Sequence, residues 1–403
     1  MVNSWLNEPV ILSAVRTPIG KFQGSLSSFP APRLGAIVVR EAVRRAGIPD
    51  LSQIDEVLMG NVVQAGTGQA PARQAAIFGG LPETISATTI NKVCGSGLKT
   101  VMFAAQSIRA GDGKLFVAGG MESMSRAPFL VDGRTGSLRF GNAQLTDALL
   151  HDGLWDPFEN WSMGNSAEFI ADEYKVTRQA MDEYAYNSHK KAVEAIDAHR
   201  FDDEIVVVEI AGRKGEIINF SVDEGPRRDT SLEALARLKP AFVEGGKVTA
   251  GNSPGLNDGA AAVVVSTRSN AQTWGVKPLA RIVGYDQVAV APKYLFDAPS
   301  KVLPKLLNNI GWGFSDVDLI ELNEAFAAQV LANGYAMVDL GWDWEKVNIN
   351  GGAIALGHPI GATGARVLTT LIYALQSRNL KRGIASMCLG GAEAVAMAIE
   401  IEN

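Results

Sequence analysis

The sequence predicts an α/β protein that contains one unit twice. Short apolar runs alternate with stretches of helical periodicity along the chain, the order an α/β fold requires. Two of those runs begin at Asp55 and Asp318, and each leads to a glycine-rich turn. Cys94 lies 39 positions after the first and His358 lies 40 positions after the second. Matched spacing of this kind points to a duplicated unit.

Taken in order, Pro9–Arg16 is nearly continuous in apolar residues and reads as a strand. Residues 34–46 place apolar side chains at helical spacing and stop at Gly47. Residues 55–63 read as a strand, 96–110 as a helix stopped by Gly111, and 114–120 as the strand behind it. The order then returns: 318–325 resembles the Asp55 run, Gly361 opens a helix to about Ser377, and 382–391 is a strand. Residues 121–250 have another character, with a polar loop at 131–142 and charged helical segments over 166–197. They read as an insertion, where substrate contacts are expected. Three of the four histidines lie there; His151, His189 and His199 sit among charged residues and read as surface groups.

Composition narrows the function. At 403 residues the chain exceeds one ordinary core, and two or three domains are expected. An apolar fraction of 47% with 20% charged residues fits a soluble globular enzyme. A net charge of −6 argues against a nucleic-acid partner. No run reaches the length of a membrane span, and the first residues lack the basic and apolar regions of a signal peptide. Two cysteines cannot build a disulfide framework, so a cytoplasmic location is expected.

Both cysteines sit in glycine-rich turns, Cys94 before Gly95-Ser96-Gly97 and Cys388 before Leu389-Gly390-Gly391. By number alone they read as small core residues. Their settings favour thiol chemistry instead. A helix beginning just after Cys94 would favour thiolate over thiol, and an added base would complete the activation. His358, in Gly357-His358-Pro359-Ile360-Gly361, is the candidate base. Cys388 is suited to exchanging a proton with a carbon acid, and Gly390 to presenting an N–H to a thioester oxygen. Asn323, in Asn323-Glu324-Ala325-Phe326, follows a strand and could orient a water or donate to an oxyanion.

Together, Cys94-Gly95-Ser96-Gly97, Asn323-Glu324-Ala325-Phe326, the segment Asn350 to Gly361 and Cys388-Leu389-Gly390-Gly391 closely resemble the thiolase family. Arg213-Lys214-Gly215, Leu238 to Phe242, Ala250-Gly251-Asn252 and Asn257 to Ala261 add to the likeness, which runs over almost the full length. The resemblance implies a five-layered α-β-α-β-α core of two βαβαβαββ halves with an inserted loop domain. The halves would be 1–120 with 251–278, and 279–403, and the insertion 121–250. It implies Cys94 as acyl-accepting nucleophile, His358 as its base and Cys388 as the proton-transfer group. Asn323 with His358 would form one oxyanion hole, and the N–H groups of Cys94 and Gly390 the other. Coenzyme A would be a substrate, with no metal or redox cofactor, and the protein a homodimer or homotetramer.

For coenzyme A, the resemblance implies Arg227 near the adenine end, with Arg213, Lys214 and Arg228 adding positive charge. Leu154, Met163, Phe242, Ala250 and Phe326 would line the pantetheine tunnel. Departures from the family pattern gather in the pocket. Pro254 replaces a serine that contacts pantetheine, with Ser253 beside it as the substitute, Ser162 stands where histidine is frequent, and Phe296 occupies a glycine position. They leave acyl chain length open; the physiological direction is open because both directions use the same residues. Two other readings compete: a decarboxylating ketoacyl synthase, which pairs its cysteine with two histidines or with histidine and asparagine rather than a second cysteine, and a non-catalytic acyl-CoA binder, which would lack one of Cys94, His358 or Cys388.

Overall fold

The computed structural model describes residues 6–134, 138–212 and 215–402. The N-terminal half contributes strands β1 (Pro9–Arg16), β2 (Glu56–Gly60), β3 (Ser86–Ile90), β4 (Leu115–Ser123) and β5 (Asn257–Thr267), with helices α1 (Ala31–Ala46), α2 (Pro71–Phe78) and α3 (Ser96–Ala110). Two further helices, α4 (Met163–Glu173) and α5 (Arg178–Asp197), lie in the 121–250 stretch. The C-terminal half supplies β6 (Ala280–Ala289), β7 (Leu319–Leu322), β8 (Arg382–Leu389) and β9 (Glu393–Ile401), with α6 (Ala298–Ile310), α7 (Ala327–Met337) and α8 (Ile360–Gln376).

The duplication is visible in the hydrogen bonding. In the first half the order is β1-β5-β4-β2-β3, and in the second β6-β9-β8-β7. A parallel bridge from Ile320 to Val347 extends the second order where β3 extends the first. The senses also match: β5 is antiparallel to β1 and β4, β9 is antiparallel to β6 and β8, and the remaining ladders are parallel. A short antiparallel contact of Val10 and Ile11 with Arg281 and Ala280 joins the halves. Even the loop carboxylates correspond. Asp55 Oδ2 accepts from the N–H groups of Lys114 and Leu115, and Asp318 Oδ2 from those of Lys381 and Arg382.

Alternation along the strands then makes layers. Ile11, Ala14, Val263 and Val265 face inward with Met387, Val395, Met397 and Ile399 of the other half, and α3 and α8 fill the space between. Val10, Leu12, Val15 and Val264 face outward beneath α1 and α2. Ile384, Ala394, Ala396 and Ala398 face outward beneath α6. The result is α-β-α-β-α. Strands covered on both faces read as unbroken apolar runs, which is why they were visible in the sequence.

Boundaries moved where tertiary contacts intervene. The helix expected from residue 34 starts at Ala31, since Pro32 is tolerated in a first turn. The strand expected through residue 63 ends at Gly60, because Glu122 takes the N–H groups of Val62 and Val63 out of the ladder. The charged segment at 166–197 is two helices, broken at 174–177. Among the described residues no helix is long and apolar enough to cross a membrane.

Helices α3 and α8 cross at contacts that only glycine allows. A Cβ on Gly97 would lie 2.8 Å from Ala365 N and 3.1 Å from Gly361 O. One on Gly364 would overlap the backbone of Leu98, and one on Gly120 the carbonyl of Gly361. These neighbours are main chain and cannot turn aside. Gly97→Ala is therefore expected to cost about 1–3 kcal/mol of stability in urea unfolding; an unchanged midpoint would contradict the close crossing.

Candidate active site

The crossing brings two turns to one place, since Cys94 directly precedes α3 and His358 directly precedes α8. The Cys94 turn is tied by Ser96. Its hydroxyl donates to Val93 O at 2.6 Å and accepts from Lys92 N–H at 2.9 Å. Val93, a β-branched residue, is held at φ 45°, a left-handed conformation that costs about 1–3 kcal/mol. That strain sits next to the candidate nucleophile.

The His358 turn is equally fixed. Gly357 has φ 111° and Asn257 occupies the space a side chain there would need; Asn257 Oδ1 accepts from His358 N–H at 2.9 Å. His358 Nδ1 lies 2.7 Å from Thr363 Oγ1, and that hydroxyl donates to Pro359 O at 2.8 Å. With its one proton committed, the Thr363 hydroxyl accepts from Nδ1–H. Nε2 is therefore the bare, basic nitrogen. Asn323 Nδ2 is 3.5 Å from Nε2, and Asn323 Oδ1 is a buried acceptor with no partner among the described residues.

One apolar cavity is lined by Cys94, His358, Cys388 and Gly390 together with Leu154, Met163, Phe242, Ser253 and Phe326. An adjoining cavity shares Ser253 and is lined by Lys21, His189, Arg227 and Ala250. These residues fall in two cavities that share lining, and Asn323 joins them through His358. Arg213 and Lys214 lie outside the described residues. Arg228 is occupied in a surface ion pair with Asp197. Ser253 gives its hydroxyl proton to Thr249 O at 2.7 Å, leaving only its acceptor lone pairs for a ligand.

Two expectations need correction. Cys94 was expected to lean toward thiolate at a helix start. Burial outweighs that: it pushes the thiol up to about 11, although the N–H groups of Gly390 and of Cys94 itself address the sulfur and pull the other way. Burial also raises Cys388, and it holds His358 down to about 3, helped by the charge of Arg366. The resting groups are two thiols and a neutral imidazole. His189 was read as a surface histidine, but it is buried, and its Nδ1 accepts from Arg227 N–H at 3.1 Å. Burial and the Arg227 charge hold it down to about 4. Its charged neighbours are next in the chain, whereas α5 turns His189 inward with Ala185, Ser188 and Ala192.

The sequence reading missed the groups that hold these turns. Glu122 accepts from the main-chain N–H groups of Val62, Val63 and Gly361 and from Asn61 Nδ2, joining β4 to the start of α8. Burial pushes its carboxyl up to about 7. Glu324 accepts from Tyr184, Ser188, Asn348 and Ile354 N–H. A lone acid in the apolar run 115–121 and its continuation was the available signal for Glu122; nothing local marked Thr363.

The thiolase N-terminal domain model matches residues 9–269, and the thiolase C-terminal domain model matches residues 276–401. An acetyl-CoA acetyltransferase of Escherichia coli is 51% identical over 395 residues, covering 98% of this chain and 99% of that protein. One from Cupriavidus necator is 50% identical over 395 residues, covering 98% of this chain and 100% of its own length. The crystal structure of the Bacillus anthracis acetyl-CoA acetyltransferase superimposes with a TM-score of 0.95 at 42% identity, covering 99% of this chain and 100% of that one.

Thr363→Val removes the only acceptor described for His358 Nδ1–H and leaves a buried donor unpaired, a cost of about 1–3 kcal/mol. Turnover of acetyl-CoA is expected to fall about tenfold to a hundredfold, and Thr363→Ser to keep most of it. Wild-type turnover by Thr363→Val would contradict the tautomer assignment.

Proposed function

This chain belongs to the thiolase family, and we propose that it moves acetyl groups between coenzyme A thioesters through a cysteinyl thioester. The observation that carries the reading is the single apolar cavity shared by Cys94, Cys388 and an imidazole whose Nε2 is bare.

In the first half-reaction Cys94 Sγ attacks the thioester carbonyl while His358 Nε2 takes its proton. Burial keeps the resting imidazole uncharged, so its Nε2 is free to accept that proton. The oxyanion is met by the N–H groups of Cys94 and Gly390, a role supported by their direction toward the Cys94 sulfur. As the carbonyl re-forms, the departing coenzyme A sulfur takes the proton of Cys388. Acetyl-Cys94, free coenzyme A, protonated His358 and a Cys388 thiolate remain.

In the second half-reaction the Cys388 thiolate removes a proton from the methyl group of the next acetyl-CoA. The enolate oxygen is held by Asn323, through a water, together with His358. The carbanion attacks the acetyl carbonyl, Cys94 leaves as thiolate, and His358 returns its proton. The products are acetoacetyl-CoA and the starting enzyme. The reverse sequence is thiolysis. No step calls for a metal or a redox cofactor.

Coenzyme A would enter past Arg227, Ala250 and Ser253, with Leu154, Met163, Phe242 and Phe326 along the pantetheine; the adjoining cavities support this path. We also propose a homodimer or homotetramer in the cytoplasm, consistent with the exposed Phe129, Phe140 and Leu145 and with two free cysteines. The division into 1–120 with 251–278, 121–250 and 279–403 is proposed on the matching strand orders.

Incubation with acetyl-CoA followed by intact-mass measurement tests the reading. Wild type is expected to gain one acetyl group and Cys94→Ser none under conditions that preserve thioesters. An unlabelled wild type would sink the proposal. Cys388→Ala is expected to acylate and then stall, and turnover at the wild-type rate by that variant would remove Cys388 from proton transfer.

A further inference from the structure

Chain length is the property the sequence left open, and the cavity wall bears on it. Phe242, Phe326 and Phe296 form a row of edge-to-face rings, with centroids 6.2 Å and 5.4 Å apart. Exposure falls along the row from 41% at Phe242 through 8% at Phe326 to 2% at Phe296. The row therefore runs from the mouth inward, and Phe296 is its deepest ring. Phe296 packs in the same apolar cluster as Cys388, Leu295 and Ala325.

This ring is held in place. Its main-chain carbonyl accepts from Asn333 Nδ2 at 2.7 Å. Asn333 Oδ1 accepts from Gln329 Nε2 at 2.6 Å, and Gln329 Oε1 accepts from Ala325 N–H at 3.1 Å. Both amide side chains are fully buried on α7, so the relay fixes the Phe296 segment to the Phe326 segment. On the far side, Tyr174 donates its hydroxyl to Asp297 at 2.7 Å. A buried ring on backbone anchored at both sides does not swing aside for a longer chain.

We propose that Phe296 is the specificity-determining residue of the acyl pocket: it closes the interior end beside Cys388 and confines the enzyme to acetyl groups. This rests on the thiolase reading above. In an apolar pocket one methylene changes selectivity by about tenfold or more, so a whole ring at the pocket end is enough to reject longer 3-oxoacyl chains.

Thiolysis of acetoacetyl-CoA, 3-oxohexanoyl-CoA and 3-oxooctanoyl-CoA by wild type, Phe296→Ala and Phe296→Leu tests it. Wild type is expected to prefer acetoacetyl-CoA. Phe296→Ala should raise kcat/KM for 3-oxooctanoyl-CoA relative to acetoacetyl-CoA by at least about tenfold, with Phe296→Leu in between. Phe296→Leu keeps an apolar filling, so it decides the matter if the alanine variant does not fold. An unchanged ratio in a variant that still cleaves acetoacetyl-CoA, or a wild type that already favours the longest chain, overturns the proposal. A wild type that neither cleaves acetoacetyl-CoA nor acetylates Cys94 instead overturns the functional reading, and the pocket assignment falls with it.

Discussion

The structure depends on one steric constraint, the crossing of α3 and α8 where there is no room for a Cβ. The two helices form the middle layer, and both half-sheets pack on them through one shared core. Each helix carries a chemical turn at its start, so the distance between helices sets the distance between thiol and imidazole. A methyl group at Gly97 or Gly364 would push main chain against main chain, and the spacing of Cys94 and His358 would change with it. Duplication supplies the two turns; close crossing makes them one site.

Around that crossing, charge is used sparingly. The cavity is apolar, and burial there favours neutral forms of Cys94, His358 and Cys388. Position sets these groups apart: Val93 is strained, Thr363 fixes the imidazole tautomer, and amide N–H groups point at the sulfur. The buried carboxylates stand one step back. Glu122 and Glu324 accept backbone and side-chain donors from separate segments, and so hold the turns rather than react. Stabilising charge as it forms, by groups already in place, is the general strength of such sites.

Much of this was legible in the sequence, for physical reasons. Strands buried on both faces write themselves as unbroken apolar runs, and a 39-to-40-residue repeat survives because each half must span the same sheet. Cys94, His358 and Cys388 stood out because their turns need glycine. What local sequence could not reveal was depth. His189 looks charged-adjacent along the chain yet faces inward on its helix, and the burial that raises the Cys94 thiol is a property of the assembled cavity. Thr363 is one threonine among several in an apolar helix; only the fold puts it against Nδ1.

The central claim is a division of labour between two thiols in one cavity. Its most direct measurement is exchange of the acetyl methyl protons of acetyl-CoA into deuterated water, followed by NMR, in wild type and Cys388→Ala with Cys94 acetylated to the same extent in both. The account predicts exchange in wild type and a loss of about a hundredfold or more in the variant, the usual scale for removing a positioned acid–base group. Exchange at the wild-type rate without the Cys388 thiol would contradict it.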